Sequence, residues 1–195
     1  AEAIRYYRNL VDQPHVGSDL RAMAQYQVVR ARYQMGDFAQ VVDEVASLRR
    51  QFPGSGYEVD AIYDQGWAEF YTERYDDAVA TFAELLGLTI DPLIRDRAIF
   101  QTGESHFALA RYERARAEYR RLVGLYDFAT MSDKQLKEMK TERLRGLVQE
   151  TTRELVAKAQ IRIGDAYGQE NRLDEAVAVY SLVPQRYPEE ALLVQ

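Results

Sequence analysis

The chain has 195 residues, a formal net charge of −6 at pH 7 and no cysteine, so disulfides, thiolate nucleophiles and zinc–thiolate sites are excluded. Hydrophobic residues make up 47% of the sequence and charged residues 29%, which is the balance of a folded protein, and no run approaches the roughly 18 apolar residues of a membrane span. The acidic balance and the lack of a basic stripe disfavour nucleic-acid binding.

The first predicted element lies in residues 1–15, where Ala3 and Tyr7 are four positions apart and therefore share one face of a helix. The same spacing recurs downstream, each time with another small residue 12 positions before the first member. The four copies are Val29, Phe38, Val41 and Val45; Gly66, Tyr75, Ala78 and Phe82; Gly103, Tyr112, Ala115 and Tyr119; and Gly164, Leu173, Ala176 and Tyr180. Because 12 positions span the end of one helix, a turn and the start of the next, the pattern predicts a stack of helical hairpins.

Short turns are predicted between the two helices of each hairpin, at Met35–Asp37, Glu73–Arg74, Ala110–Arg111 and Glu170–Arg172. Gly36 and Asn171 suit the left-handed residue that ends a helix. Glycine inside a helix costs roughly 1 kcal/mol against alanine, which indicates a packing role. We therefore expect Gly66, Gly103 and Gly164 to let the paired helices approach closely, with Ala78, Ala115 and Ala176 facing them.

These segments resemble the tetratricopeptide repeat, a 34-residue unit with Gly or Ala in its first helix, an aromatic–x–x–Ala motif opening the second, and a closing Pro. The matching segments are Gly36–Phe38 with Phe52-Pro53, Arg74–Ala78, Arg111–Ala115, and Asn171–Ala176 with Tyr187-Pro188. The resemblance implies an all-α fold, a right-handed α-solenoid of antiparallel helix pairs that binds proteins and is not an enzyme. The Phe-Pro and Tyr-Pro endings also resemble repeats of bacterial envelope lipoproteins, which implies a periplasmic or outer-membrane-associated location.

The repeated pattern predicts a single repeat domain that is made of successive segments. They are a half repeat at 1–15, four repeats at about 22–55, 59–92, 96–127 and 157–190, a helical insertion at about 128–150, and the start of a further repeat at 191–195. We interpret the chain as an internal fragment of a longer array. Its apolar ends, residues 1–10 and 189–195, are expected to self-associate, because terminal repeats normally carry a polar cap.

The insertion has a helical start signal, since Ser132 with Gln135 reads as a capping box. Apolar residues then keep helical spacing, which fits either one long helix from about Asp133 to Tyr167 or a hairpin broken near Gly146 or Thr151. The segment either packs on its neighbours or forms an arm that touches a partner.

The sequence contains no clear motif for catalysis, metal binding or phosphate binding. His15 and His106 lack cysteine or paired carboxylates at ligand spacing, and the Gly54–Gly56 loop lacks the Lys-Ser/Thr of a phosphate cradle. We therefore predict no catalytic residue, no metal site and no cofactor. An arginine-rich segment is expected to be a solvated face paired with Glu113 and Glu118; its members are Arg111, Arg114, Arg116, Arg120 and Arg121.

Residues 57–91 contain nine acidic side chains and only one basic one, Arg74, together with seven aromatic residues. The resemblance implies that the first helix of each repeat lines an inner surface. The predicted partner-binding groove consists of Tyr26, Arg30, Tyr33, Asp60, Tyr63, Asp64, Trp67, Tyr71, Arg97, Phe100, Gln101 and Glu104. A protein or peptide with Arg or Lys among apolar residues would suit such a groove.

The sequence therefore predicts a non-catalytic scaffold that binds a protein or peptide and assembles a multiprotein complex. Two alternatives remain open. The stack could be a structural spacer whose aromatic residues pack between repeats, or a regulatory segment of an enzyme whose catalytic domain lies elsewhere.

Overall fold

The computed structural model describes residues 2–126, Lys134 and residues 152–188, and these residues contain no β-strand, so the predicted all-α class is confirmed. Residues 2–126 form α1 (Glu2–Val11), α2 (Ser18–Gln34), α3 (Phe38–Gln51), α4 (Glu58–Tyr71), α5 (Tyr75–Leu86), α6 (Pro92–Ala108) and α7 (Tyr112–Gly124). Residues 152–188 form α8 (Thr152–Gln169), α9 (Leu173–Tyr180) and α10 (Leu182–Arg186). Apart from Lys134, the predicted insertion at 128–150 lies outside the described residues, and so does the segment 189–195. No helix within the described ranges is both long and apolar enough to cross a membrane.

Consecutive helices pack as antiparallel pairs, which confirms the predicted solenoid architecture of packed helix pairs. The pairs are α2 with α3, α4 with α5, α6 with α7, and α8 with α9, while α1 packs against α2. The chain forms two compact units, residues 1–90 and residues 91–195. In the first unit α2 lies beside α4, and in the second α6 lies beside α8, so the first helices of adjacent pairs are neighbours.

The turn within each pair has the same backbone geometry in all four cases. One residue has positive φ, 72° at Gly36, 60° at Glu73, 54° at Ala110 and 59° at Asn171. The N–H of the next residue bonds back to a carbonyl five positions earlier: Asp37 to Arg32, Arg74 to Glu69, Arg111 to His106, and Arg172 to Tyr167, at 2.9–3.0 Å. This is the Schellman arrangement, which satisfies the last carbonyl groups of a helix. The predicted left-handed positions of Gly36 and Asn171 are confirmed.

Three glycines face aromatic rings across their helix pair. A β-carbon built on Gly66 would lie 2.7 Å from the Phe82 ring, and one on Gly103 would lie 2.5 Å from the Tyr119 ring. Gly164 has the same relation to Tyr180. Real β-carbons do not approach a ring so closely, so only glycine permits these separations. The predicted packing role of the three glycines is therefore confirmed.

In three of the four turns, an aromatic residue before the turn packs against an aromatic residue after it. Tyr33 packs edge-on to Phe38, with ring centroids 5.5 Å apart. The equivalent pairs Phe70–Tyr75 and Phe107–Tyr112 both have centroid distances of 5.3 Å. In the last pair Gly168 and Leu173 take these positions, and Leu173 is 60% exposed. In these three pairs, the aromatic residue that begins the second helix is there to pack on a ring five positions before it.

Candidate protein-binding surface

An aromatic surface forms in the first unit where α4 lies beside α2. We use this name for Tyr33, Phe38, Tyr63, Trp67 and Tyr71. Tyr63, Trp67 and Tyr71 follow one another at four-residue spacing on α4, so they form one stripe. The Trp67 and Tyr71 rings are stacked with centroids 5.5 Å apart, and Tyr71 also stacks on Phe38 at 5.0 Å. Tyr71 remains 52% exposed, so this stack reaches the surface of the protein.

Two carboxylates on α4 lie along the same stripe, since Asp60, Asp64 and Trp67 share helical spacing with the aromatic residues. Asp64 is buried, and its Oδ2 accepts a hydrogen bond of 3.2 Å from the Tyr26 hydroxyl. Arg30 Nε lies 3.8 Å from the same oxygen, and Arg30 Nη1 donates to the Tyr26 hydroxyl at 3.4 Å. Side chains of α2 therefore hold Asp64 in place.

Burial dominates the acid–base properties of this surface. It raises the pKa of Asp64 from 3.8 to about 6, against the opposing effects of Arg30 and of the hydrogen bond from Tyr26. Burial also raises the pKa of Asp60, with Arg30 again opposing. The pKa of the Tyr33 hydroxyl is raised by burial first and then by the nearby Tyr71 and Asp64. Asp64 is therefore ionised at neutral pH but becomes neutral in mildly acidic solution.

Other acidic side chains of residues 57–91 are bound within the first unit. Arg49 of α3 pairs with Glu58 of α4 at 3.2 Å and with Glu84 of α5 at 2.5 Å. Glu69 is buried and accepts a hydrogen bond of 2.6 Å from the Thr81 hydroxyl. These carboxylates stabilise the contact between helices, whereas Asp60 and Asp64 lie beside the aromatic surface.

The predicted groove residues of the second unit are largely engaged with their own neighbours. Gln101 is buried, and Phe100 packs against Tyr119 with centroids 5.6 Å apart. Glu104 accepts a hydrogen bond of 2.5 Å from the Tyr119 hydroxyl and one of 2.7 Å from Arg162 Nε. Arg97 is half-buried.

The residue directly after each helix-interior glycine depends on whether the ring that faces the glycine carries a hydroxyl group. Glu104 accepts from Tyr119, and Asp165 accepts from the Tyr180 hydroxyl at 2.7 Å. Where the facing ring is Phe82, which has no hydroxyl, Trp67 stands at this position. At this position the second repeat has no tyrosine hydroxyl to satisfy, and it carries an indole instead of a carboxylate.

Eight of the predicted residues lie together on α2 and α4. Tyr26 and Asp64 are buried, Tyr71 is exposed, and the others are half-buried: Arg30, Tyr33, Asp60, Tyr63 and Trp67. Sequence reasoning missed Phe38 as part of this surface. Its repeat position, equivalent to Tyr75, was the available signal.

The arginine-rich segment differs from expectation at one residue. Arg116 is buried; its guanidinium lies 4.4 Å from the Tyr167 ring centroid, and its Nη1 is 2.6 Å from Glu170. The expected solvated face was therefore wrong for Arg116, because the residue lies against α8. Arg121 pairs with Glu118 at 3.3 Å as expected. In the described parts of the chain, no group of three or more side chains could hold a metal ion.

Comparisons with known proteins give two kinds of match. Family models described as tetratricopeptide repeat match residues 63–130 and 157–183.

A Podosopora anserina putative kinesin light chain with nearly identical TPR-like repeats has a TM-score of 0.64 at 13% identity, covering 96% of this chain and 87% of that one. Bacillus thuringiensis PlcR, in complex with the peptide PapR7 and DNA, gives a TM-score of 0.55 at 12% identity, covering 94% and 63%. MamA protein gives a TM-score of 0.50 at 17% identity, covering 97% and 94%. No curated protein sequence matches significantly. At such identities, structural similarity shows the fold alone.

Proposed function

Because this chain is a tetratricopeptide-repeat protein, we propose that it is a scaffold that binds a protein or peptide, with the aromatic surface of the first unit as the docking site. The observation that carries this proposal is the Phe38–Tyr71–Trp67 stack, which reaches solvent at Tyr71. Trp and Tyr are the residue types that contribute most binding energy at interfaces. A stack of preassembled rings also loses little side-chain freedom when a partner covers it.

The chemistry of the surface favours a partner that carries Arg or Lys among apolar residues. Asp60 and Asp64 supply negative charge beside the rings of Tyr63 and Trp67. A cation over an aromatic face gains about 0.5–1 kcal/mol at exposed sites, and complementary charge speeds encounter. The scaffold would use this contact to bring its partner into a larger complex.

One structural neighbour supports this class of function. PlcR was solved with a bound peptide, and its fold resembles this chain over most of the described helices. That protein's ligand does not identify a partner here, since the two sequences are only 12% identical. What supports a specific surface in this chain is its own arrangement of rings and carboxylates.

Trp67 provides a direct test, because it is the only tryptophan in the chain. Short synthetic peptides of Leu and Arg, and charge-reversed peptides of Leu and Glu, are titrated while Trp67 fluorescence is recorded. We expect the Leu–Arg peptide to change the emission and the Leu–Glu peptide to leave it unchanged. Tyr71→Ala should weaken binding by roughly tenfold, since it removes an interfacial aromatic side chain.

The matched control is Tyr6→Ala, because Tyr6 is an exposed tyrosine on α1, away from the aromatic surface. This variant should bind as the wild type does. Circular dichroism establishes that both variants are folded. If folded Tyr71→Ala bound the Leu–Arg peptide as tightly as wild type, the proposed docking site would be wrong.

A further inference from the structure

Among the described residues, Arg30 is the one basic side chain that contacts a carboxylate beside the aromatic surface, Asp64. Its side chain is 40% exposed, and its Nε lies 3.8 Å from Asp64 Oδ2, beyond hydrogen-bond distance. Its Nη1 donates to the Tyr26 hydroxyl, and Tyr26 is itself held by stacking on Tyr57 at 5.6 Å. The guanidinium is thus positioned against Asp64 without forming a tight ion pair.

The charges of this surface do not balance. The surface has two carboxylates, Asp60 and Asp64, and one guanidinium, Arg30, so its formal charge is negative. In the described parts of the chain, no hydrogen bond or ion pair joins Asp60 to another side chain, and Arg30 affects it only by longer-range attraction. One negative charge, centred on Asp60, therefore remains without a contact partner.

The repeat register shows that this guanidinium is specific to the first helix pair. Arg30 follows Val29, and the equivalent positions after the small residue hold Trp67, Glu104 and Asp165. Val29 and Val45 are both buried in one apolar cluster, so no tyrosine hydroxyl requires a carboxylate at position 30. Position 30 therefore needs no carboxylate, and its guanidinium lies against Asp64 on the neighbouring helix.

We propose that Arg30 is an internal counter-ion that sets the specificity of the aromatic surface, so that it accepts a partner segment with one cationic side chain and disfavours a segment with two. This inference rests on the proposed docking function. The single Arg or Lys of the partner pairs with Asp60, while Arg30 retains Asp64. A second cation would have to approach the Arg30 guanidinium, and like charges in contact oppose binding.

The experiment compares two Leu-rich synthetic peptides that differ only in carrying one or two Arg residues, with Trp67 fluorescence as the readout. The measured quantity is the affinity of the two-Arg peptide divided by that of the one-Arg peptide. In Arg30→Gln we expect this ratio to rise roughly fivefold, the factor that corresponds to about 1 kcal/mol for one removed charge contact. Arg50→Gln, which removes an exposed arginine on α3, should leave the ratio at its wild-type value.

Two further variants separate the effect of the lost charge from any effect of the substitution on folding. Arg30→Met keeps an apolar stem without charge and should raise the ratio as Arg30→Gln does. Arg30→Lys keeps the charge and should preserve the wild-type ratio. An unchanged ratio in Arg30→Gln and Arg30→Met, with binding that still depends on Tyr71, would overturn the role of Arg30 and leave the docking site intact. If neither peptide bound the wild-type protein through Tyr71, both proposals would be wrong.

Discussion

Single residues determine how closely the helices of this protein approach. Gly66, Gly103 and Gly164 each face a ring that leaves no room for a β-carbon. A glycine in a helix costs roughly 1 kcal/mol relative to alanine, and ring packing at these positions offsets part of that cost. Where the facing residue is Val45, the position holds Val29 and both side chains are fully buried.

Two glycines of α8 provide a matched test of this packing. Gly164→Ala places a methyl group against the Tyr180 ring, so we expect the free energy of unfolding to fall by about 1–3 kcal/mol. Gly168→Ala meets no atom within 4 Å, and alanine is the better helix former, so unfolding should require up to about 1 kcal/mol more. Urea denaturation measures both values, and equal effects at the two positions would contradict the packing role.

Asp64 makes stability depend on pH in a definite direction. Its folded-state pKa is about 6 against an ordinary value of 3.8, because burial opposes ionisation more than Arg30 and Tyr26 favour it; Asp60 adds to the increase. A raised carboxyl pKa contributes stability that is complete below about pH 4 and is lost as the pH rises through 6. Wild type should therefore lose on the order of 2 kcal/mol relative to Asp64→Asn between pH 4 and 7. Urea unfolding of both proteins across this range gives the difference, which would stay constant if Asp64 titrated normally.

The candidate site was partly predictable from residue spacing. Helical periodicity placed Tyr63, Trp67 and Tyr71 on one stripe, because residues three and four apart share a face. Periodicity does not give depth, so the burial of Tyr26 and Asp64 could not be predicted. The repeat position of Phe38 predicts packing within its own helix pair, whereas its contact with Tyr71 joins two different pairs, and this is why it was missed.

At the scale of elements, the four turns share one geometry although their sequences differ. Glu73 and Ala110 adopt the left-handed conformation that Gly36 adopts, with φ of 60° and 54°. For a residue with a β-carbon this conformation costs roughly 1–2 kcal/mol. The Schellman hydrogen bond and the packing of the helices it joins must outweigh that cost.

Ala110→Gly relieves this strain without removing a hydrogen bond. We expect it to raise the free energy of unfolding by about 1 kcal/mol, because glycine adopts positive φ readily. Ala108→Gly, at the exposed last residue of α6, is the control and should lower stability by about 0.5–1 kcal/mol. Thermal unfolding distinguishes the two, and a destabilised Ala110→Gly would show that the β-carbon of Ala110 makes a contact that matters.

The fold was predictable at this scale because each turn and each helix pair repeats a pattern of a few residues. The small residue, the turn and the aromatic–x–x–Ala segment are all local in sequence, so they marked the four pairs from Ser18 to Tyr180. The burial of Arg116 could not be read in this way. Its partners Tyr167 and Glu170 are more than 50 positions away, across the insertion.

At the scale of the whole molecule, the chain consists of two compact units, and the proposed docking site belongs to the first. The contacts that define it join α2, α3 and α4, which all lie within residues 1–90. In repeat proteins stability is approximately a sum of terms from each repeat and its neighbours. We therefore expect the first unit to fold on its own and to carry the proposed docking site.

A fragment of residues 1–90 should accordingly be helical and should bind the Leu–Arg peptide with an affinity within about twofold of the full chain, since sites without shared partners couple by less than roughly 0.5 kcal/mol. Circular dichroism and Trp67 fluorescence measure the two properties. The complementary fragment 91–195 lacks the aromatic surface and, measured by calorimetry, should not bind. A folded 1–90 fragment without affinity would contradict the assignment of the docking site to the first unit.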